Sequence, residues 1–267
     1  MYKKFEMELA GRTLRVDVDR VAKQANGAVL MHYGDTTVLC TATASDKPRE
    51  GIDFFPLSVE YNERMYAVGK IPGGFNKREG KASENAILTD RVIDRPMRPL
   101  FPKDYRNDVT LENLVLSVDQ DCSPELTAML GAALATSISD IPFDGPCAMT
   151  QMGLVDGEFI VNPSQKEWDE GDLKLTVAST ATKVIMIEAG ANEIPEAKMI
   201  EVKTSTPIIN ISITCLRMYL SSLFIFFRLY IIFLIKSFIS SKILYQKGGN
   251  RQSKIQNYFT SLRNFTK

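Results

Sequence analysis

The chain has 267 residues, 45% of them hydrophobic and 24% charged, which is the composition of an ordinary globular protein. Its formal net charge of zero averages two unlike parts. Residues 1–202 carry 22 Lys/Arg and 32 Asp/Glu, enough chain for one α/β core, whereas residues 203–267 carry ten Lys/Arg and no acidic residue.

The four cysteines lie far apart in the sequence, at Cys40, Cys122, Cys147 and Cys215, with no CxxC pair. This spacing argues against a zinc site or a disulfide scaffold and favours a reducing compartment, so we expect a cytoplasmic protein. Residues 1–9 alternate between apolar and charged side chains, so we expect no signal peptide there.

Hydrophobic periodicity predicts a mixed α/β (α+β) domain, because groups of strands alternate with only two helices. The helices are expected from a Ser83 cap to Asp94, where Pro96 ends the pattern, and over Glu125–Ser139. The predicted strands are Lys4–Leu9, Thr13–Asp19, Gly27–Tyr33, Thr36–Ala44, Phe54–Tyr61, Asn113–Asp119, Cys147–Leu154, Gly157–Val161, Leu173–Ser179 and Lys183–Glu188.

Residues 69–106, here called the basic segment, carry nine Lys/Arg against five Asp/Glu in an otherwise acidic region. Clustered cations in an acidic body predict a polyanionic ligand. We expect phosphate contacts from Lys77, Arg78 and Lys81, and base stacking on Phe75. A further set of arginines on or just beyond the first helix is expected to contact RNA or a domain interface: Arg91, Arg95 and Arg98. Surface pairing of these arginines with Asp90 and Asp94 is the open alternative.

Three other patterns carry weaker predictions. The Gly74–Lys81 stretch has five residues between its glycines and Ala82 in place of the hydroxyl residue, so it does not fit a P-loop. His32 is the sole histidine and lies in a β-run, which favours a structural role over a catalytic triad. The acidic patch around residues 169–172 fits a solvated turn better than a magnesium site.

Several runs in this order closely resemble the bacterial polynucleotide phosphorylase family, specifically the first of its two ribonuclease PH-like domains. The runs are residues 11–13, 33–39, 71–75, 78–80, 93–102 and 123–125. The longest are Tyr-Gly-Asp-Thr-Thr-Val-Leu and Ile-Asp-Arg-Pro-Met-Arg-Pro-Leu-Phe-Pro. The resemblance covers residues 1–201 and then stops, so we expect one ribonuclease PH-like domain there.

The resemblance implies the amino-terminal half of a phosphorolytic 3′–5′ exoribonuclease that uses Mg²⁺ and inorganic phosphate in mRNA degradation. In the family a homotrimeric ring threads single-stranded RNA through a pore, and degradosome-type proteins are further partners. The segment matching Phe75–Arg78 lines that pore. This sequence departs from the family's Phe-Phe-Arg-Arg at Asn76 and Lys77, which predicts weaker stacking with charge retained.

The resemblance also implies that the catalytic centre lies chiefly in the second such domain, which is absent here. Cys122-Ser123-Pro124 replaces a serine-rich phosphate loop, and the Asp172–Lys174 region lacks an aspartate pair. We therefore expect no catalytic or metal-binding residues, no bound cofactor and no phosphorolytic activity of this polypeptide alone. A solitary active nuclease of the ribonuclease PH type is the alternative.

Residues 203–267 contain no Ala, Val, Asp, Glu, His or Trp, which favours an unrelated tail arising by frameshift or read-through from residue 202 onward. Met218–Ile235 is apolar over 18 residues, a marginal membrane-span length, with Arg228 inside it. A membrane-tethered accessory RNA-binding protein is therefore the second functional hypothesis.

Overall fold

The computed structural model of the protein describes residues 2–75 and 78–199. A six-stranded sheet has the order β1-β2-β3-β4-β6-β5, antiparallel throughout except for the parallel pair β5 and β6. Its strands are β1 (Lys3–Leu9), β2 (Arg12–Val18), β3 (Gly27–Tyr33), β4 (Thr36–Ala44), β5 (Leu57–Glu63) and β6 (Val109–Ser117).

A four-stranded antiparallel sheet forms the second layer, in the order β10-β9-β7-β8. Its strands are β7 (Ala148–Val155), β8 (Glu158–Val161), β9 (Leu173–Ser179) and β10 (Val184–Ala191). The predicted mixed α/β fold with few helices is confirmed, and all ten predicted strands overlap observed ones. Phe54–Tyr61 and Asn113–Asp119 were misplaced at their ends by two to four residues.

The first hairpin shows how local chemistry sets strand register. Leu9 pairs with Arg12 across a two-residue loop in which Ala10 and Gly11 both have positive φ, at 50° and 73°. Two positive φ values match the twist of the flanking strands, and glycine adopts that conformation without steric cost. Leu9 and Leu14 thereby face the core.

Helix α2 (Pro124–Ile138) is the centre of the core and contacts both sheets, through β3, β4 and β6 on one side and β7 on the other. Ser123 caps it by accepting a hydrogen bond from the Leu126 amide, and Pro124 occupies its first turn. Every residue from Leu126 to Thr136 is buried. A helix rich in Ala and Gly fits between two layers because its narrow surface allows close backbone approach.

Helix α1 (Glu84–Met97) begins at the predicted Ser83 cap but runs three residues past the predicted end. The prediction of a stop before Pro96 was wrong. Proline removes only one hydrogen bond so near the end, and the last turn is held by burial of Ile93 and Met97, four residues apart on the core face.

A short third helix, α3 (Gln165–Glu170), replaces the solvated turn expected around the acidic patch. Ser164 and Glu167 form a reciprocal capping box, which satisfies two backbone amides at the helix start. Asp169, Glu170 and Asp172 are solvent-exposed, as the prediction of a solvated turn expected, although the first two belong to this helix. Asp169 then accepts a hydrogen bond from Gln165, at 3.0 Å, and pairs with Lys174, at 3.5 Å.

The α2 packing predicts that Gly131→Ala destabilises the protein despite the higher helix propensity of alanine. A Cβ on Gly131 would lie 2.3 Å from Cys40 Sγ and 2.7 Å from Met31 Cγ. Overpacking of this kind costs about 1–3 kcal/mol, against about 1 kcal/mol gained in propensity. Urea unfolding should therefore show a net loss.

The matched variant Gly190→Ala meets no heavy atom within 4 Å and should be close to neutral. In a Cys40→Ala background, which removes the sulfur that the new methyl group meets, Gly131→Ala should cost less. Equal costs in both backgrounds would contradict this packing account.

Candidate functional site

The basic segment begins in a glycine-rich connection between β5 and α1. A 3₁₀ helix, Met65–Val68, ends at Gly69 in the left-handed conformation, with φ 68°. Gly74 also has positive φ, at 83°, which glycine adopts without strain. Phe75 follows with its side chain fully exposed. A fully exposed aromatic ring is available to stack on a nucleobase.

A cavity of about 380 Å³ lies between the end of β5, this connection and the start of α1. Three basic residues line it, Arg64, Arg78 and Lys81. The start of α1 lines the same cavity through Ser83 and Ala86, so the helix dipole adds positive potential there. We call this the basic cavity.

Two carboxylates also line the basic cavity, and both have internal partners. Glu63 accepts a hydrogen bond from the Tyr61 hydroxyl, at 2.9 Å. Glu79 accepts a hydrogen bond from the Met65 amide and lies 3.5 Å from Arg64. Among the described residues, Arg78 and Lys81 form no ion pair, so their charges are left to attract an anion.

The arginines of α1 divide into different environments. Arg91 is exposed, and no described acid pairs with it. Arg95, one turn further along the same face, contacts Glu188 of β10 at 3.3 Å, with both side chains about half exposed. An exposed pair of this kind contributes little to stability, so a polyanion can compete for Arg95.

Arg98 has the structural role that the sequence left open as an alternative. Its guanidinium donates to both carboxylate oxygens of Asp94, at 2.7 and 3.0 Å, and to the carbonyls of Phe55 and Leu57. These bonds attach the C-terminal end of α1 to the residues at the start of β5. Arg98 also lies about 22 Å along the helix axis from Ser83, away from the basic cavity.

The predicted site is thus brought together only in part. Arg78 and Lys81 share the basic cavity, Phe75 is exposed on the adjoining loop, and Arg91 and Arg95 lie on a helix face beyond it. Lys77 lies outside the described residues. RNA contact by each of these side chains stays a prediction.

Where the resemblance implied that Cys122-Ser123-Pro124 replaces a serine-rich phosphate loop, the structure has a helix cap. The Ser123 hydroxyl accepts from the Leu126 amide, and Cys122 beside it is buried. Burial raises the pKa of the Cys122 thiol to about 11. The Ser123 oxygen is therefore engaged within the helix end.

Sequence reasoning missed a buried polar network around Asp17. Its carboxylate accepts hydrogen bonds from Arg15, Arg20 and Tyr2, and His32 Nε2 lies 3.4 Å away. Burial opposes ionisation, yet these donors hold the pKa of Asp17 well below its usual range. His32 also contacts Thr37 Oγ1 at 3.0 Å, which gives it the structural role that was expected.

A second group of carboxylates lies behind the basic cavity, where α1, α2 and β5 meet. Burial raises the pKa of Glu125, and the neighbouring charges of Glu63 and Glu188 raise it further. A hydrogen bond from Thr89 acts in the opposite direction. Burial raises the pKa of Asp90 to about 6, although the Tyr61 amide donates to it. Partial desolvation therefore makes both carboxyl groups harder to ionise than exposed ones.

Two family models match consecutive parts of the chain. Residues 10–142 match domain 1 of the 3′ exoribonuclease family, and residues 145–203 match domain 2 of the same family. The division falls in the connection between α2 and β7.

Curated relatives are named polyribonucleotide nucleotidyltransferase. Those of Lachnoclostridium phytofermentans and Ruminiclostridium cellulolyticum are 80% and 60% identical over 201 residues. Each match covers 75% of this chain but 29% of the relative, so the chain spans less than a third of their length.

Solved structures share the fold at low identity. Rice Rrp46 superposes with a TM-score of 0.58 and 14% identity, covering 84% of this chain and 94% of Rrp46. A chain of the Archaeoglobus fulgidus exosome with RNA bound to the active site gives a TM-score of 0.58 and 16% identity, covering 82% and 88%. At these identities the likeness establishes the fold alone.

The membrane hypothesis finds no support in these comparisons. Within residues 2–75 and 78–199, no helix is both long and apolar enough to cross a membrane. The apolar stretch Met218–Ile235 lies outside the described residues.

The raised pKa of Asp90 predicts that Asp90→Asn stabilises the protein at neutral pH. A carboxyl whose pKa is raised on folding contributes stability below its unfolded pKa, and that contribution is lost as pH rises from about 4 through about 6. The neutral amide escapes this loss and retains an oxygen for the Tyr61 amide. The thermal midpoint should therefore rise by about 2–4 °C at pH 7.5 and change little at pH 4.

The comparison variant Asp94→Asn removes the carboxylate that pairs with Arg98, so it should lower the midpoint at pH 7.5. A rise for Asp94→Asn, or a gain for Asp90→Asn that is the same at both pH values, would contradict the burial argument.

Proposed function

The chain belongs to the 3′ exoribonuclease family, and its residues 1–201 correspond to the amino-terminal part of polyribonucleotide nucleotidyltransferases. On this basis we propose that it binds single-stranded RNA at the basic cavity. It is the RNA-holding part of a phosphorolytic 3′–5′ exoribonuclease in mRNA degradation. The active site proper belongs to the remainder of the longer enzyme.

The observation that carries the proposal is the charge state of the basic cavity. Arg78 and Lys81 lie on its wall without a described ion pair, whereas Glu63 and Glu79 accept hydrogen bonds from within the protein. Cations left unneutralised in an acidic domain favour a polyanion over a neutral ligand.

The proposed mode of binding has three parts. Arg78 and Lys81 contact successive phosphates, and the start of α1 adds its dipole to the same anionic backbone. Phe75 stacks on a base. Arg91 and Arg95 extend the basic track along α1, with Arg95 exchanging Glu188 for phosphate; Lys77 is proposed as a further phosphate contact.

Magnesium and inorganic phosphate are the cofactors proposed for the full-length enzyme, and neither the acidic patch nor the start of α2 fits them in this chain. The described residues contain no group of three His, Cys, Asp or Glu arranged for a metal ion. Lys174 lies 3.5 Å from Asp169, and the Ser123 hydroxyl caps α2. No step of phosphorolysis is therefore assigned to these residues.

The remaining proposals concern organisation. By analogy with the family, we propose a homotrimeric ring, degradosome-type partners and a cytoplasmic location. The dispersed cysteines support the cytoplasmic location. We also propose that a single ribonuclease PH-like domain ends at residue 201. The 201-residue extent of the match to relatives supports that boundary, with residues 202–267 unrelated to it.

RNA binding is tested by titrating the chain with oligo(A) at several salt concentrations. The double variant Arg78→Ala/Lys81→Ala should weaken binding at 0.1 M salt by roughly tenfold. Its salt slope should fall by about 1.4, because each phosphate contact on a single strand accounts for about 0.7.

The matched control is Lys23→Ala/Lys166→Ala, which removes two exposed cations outside the basic segment. Its affinity and slope should stay close to those of the parent. An equal loss in both double variants would show that net charge, not the basic cavity, determines binding.

Catalysis is tested separately, with poly(A), phosphate and Mg²⁺. The purified chain should release no nucleoside diphosphate above a no-protein blank, because the described residues assemble neither a phosphate loop nor a metal site. A full-length relative serves as the positive control. Phosphate-dependent release of ADP by the chain would favour the solitary-nuclease alternative.

A further inference from the structure

Glu79 is an unexpected residue in a cation-rich stretch, lying directly between Arg78 and Gly80 on the wall of the basic cavity. A carboxylate beside a phosphate-binding arginine should repel RNA. The structure turns it inward instead, and its side chain is only 23% exposed.

The Glu79 carboxylate joins the two ends of the connection between β5 and α1. One oxygen accepts a hydrogen bond from the backbone amide of Met65, 14 residues earlier, and the other lies 3.5 Å from Arg64 Nη1. Arg64 in turn donates to Asn62 at 3.2 Å, at the end of β5. The contact therefore ties the loop to the sheet.

The Met65 amide needs such a partner because it opens the 3₁₀ helix Met65–Val68. The cap residue Arg64 makes no side-chain capping bond. Glu79 supplies the missing acceptor from a distance in sequence, and a charged acceptor at a helix start gives a strong hydrogen bond.

We propose that Glu79 is a positioning residue for RNA binding: it clamps the loop onto Met65 and Arg64 and thereby orients Arg78 toward the basic cavity. The inference rests on the proposed function, since it concerns how that same cavity is shaped. We call this contact the Glu79 clamp.

The clamp and simple electrostatics predict opposite effects of Glu79→Ala on the affinity for RNA. Removal of a negative charge beside Arg78 should tighten RNA binding if charge alone matters. Loss of the clamp should instead weaken oligo(A) binding by about fivefold and reduce the salt slope by about 0.7, one phosphate contact. Equal or tighter binding would overturn the proposal.

Two further variants separate the hydrogen bond from the charge. Glu79→Gln keeps an oxygen that accepts from the Met65 amide, so its RNA affinity should stay within about twofold of the parent. Met65→Pro removes the donor while Glu79 keeps its charge, and proline is tolerated at a first helical position after the extended Arg64. It should reproduce the weakening seen for Glu79→Ala.

A comparison variant, Glu84→Gln, removes a nearby exposed charge that is outside the clamp and should not weaken binding. Weakening by Glu84→Gln equal to that by Glu79→Ala would overturn the proposal. Circular dichroism melting of each variant confirms that the fold is intact.

Hydrogen exchange of the Met65 amide gives a readout independent of RNA. Protection should be lost in Glu79→Ala and kept in Glu79→Gln; protection kept in both would overturn the clamp. If Arg78→Ala/Lys81→Ala weakens RNA binding but Glu79→Ala does not, the clamp fails alone. If neither weakens it, the proposed function fails.

Discussion

Close packing of helix α2 between two sheets is the constraint on which the rest of the structure depends. The helix can contact β3 and β4 on one side and β7 on the other because alanine, glycine and threonine are interspersed among its larger Leu and Met side chains. Gly131 leaves no room even for a methyl group against Cys40 and Met31. Dense packing resists displacement, so α2 constrains the position of α1, and α1 in turn packs against β5. The basic cavity is formed at their edge.

The electrostatics of the domain follow from that packing. Carboxylates between α1, α2 and β5 are partly desolvated, which raises the pKa of Asp90 and of Glu125. The pKa of Asp17 is shifted in the opposite direction, because three donors stabilise its ionised form in a buried position. The arginines at Asp17 are thus paired, whereas Arg78 and Lys81 have no acidic partner among the described residues.

Sequence patterns predicted most of the fold because its elements have strong local signals. The alternation in β3 and β4 gave their observed bounds, and Ser83 and Pro124 marked the helix starts. The end of α1 was predicted wrongly because burial of Met97 is a tertiary effect that outweighs a proline near a helix end. The site was less predictable. Helical i, i+4 spacing allowed the pairing of Arg98 with Asp94, but no periodicity reveals that Arg78 lacks an acidic partner among the described residues, or that Glu79 reaches back 14 residues to Met65.

The proposed separation of RNA binding from catalysis can be related to the starts of α1 and α2. A helix start such as that of α2 can hold a phosphate only if its amides and hydroxyls are left unpaired. Here the Ser123 hydroxyl is engaged by the Leu126 amide, and the neighbouring thiol of Cys122 is buried and resists ionisation. The start of α1 is capped in the same way, by Ser83 accepting from the Ala86 amide, but it lines the basic cavity beside Arg64, Arg78 and Lys81. The basic side chains around the start of α1 favour an anion, which is what the proposed RNA binding requires.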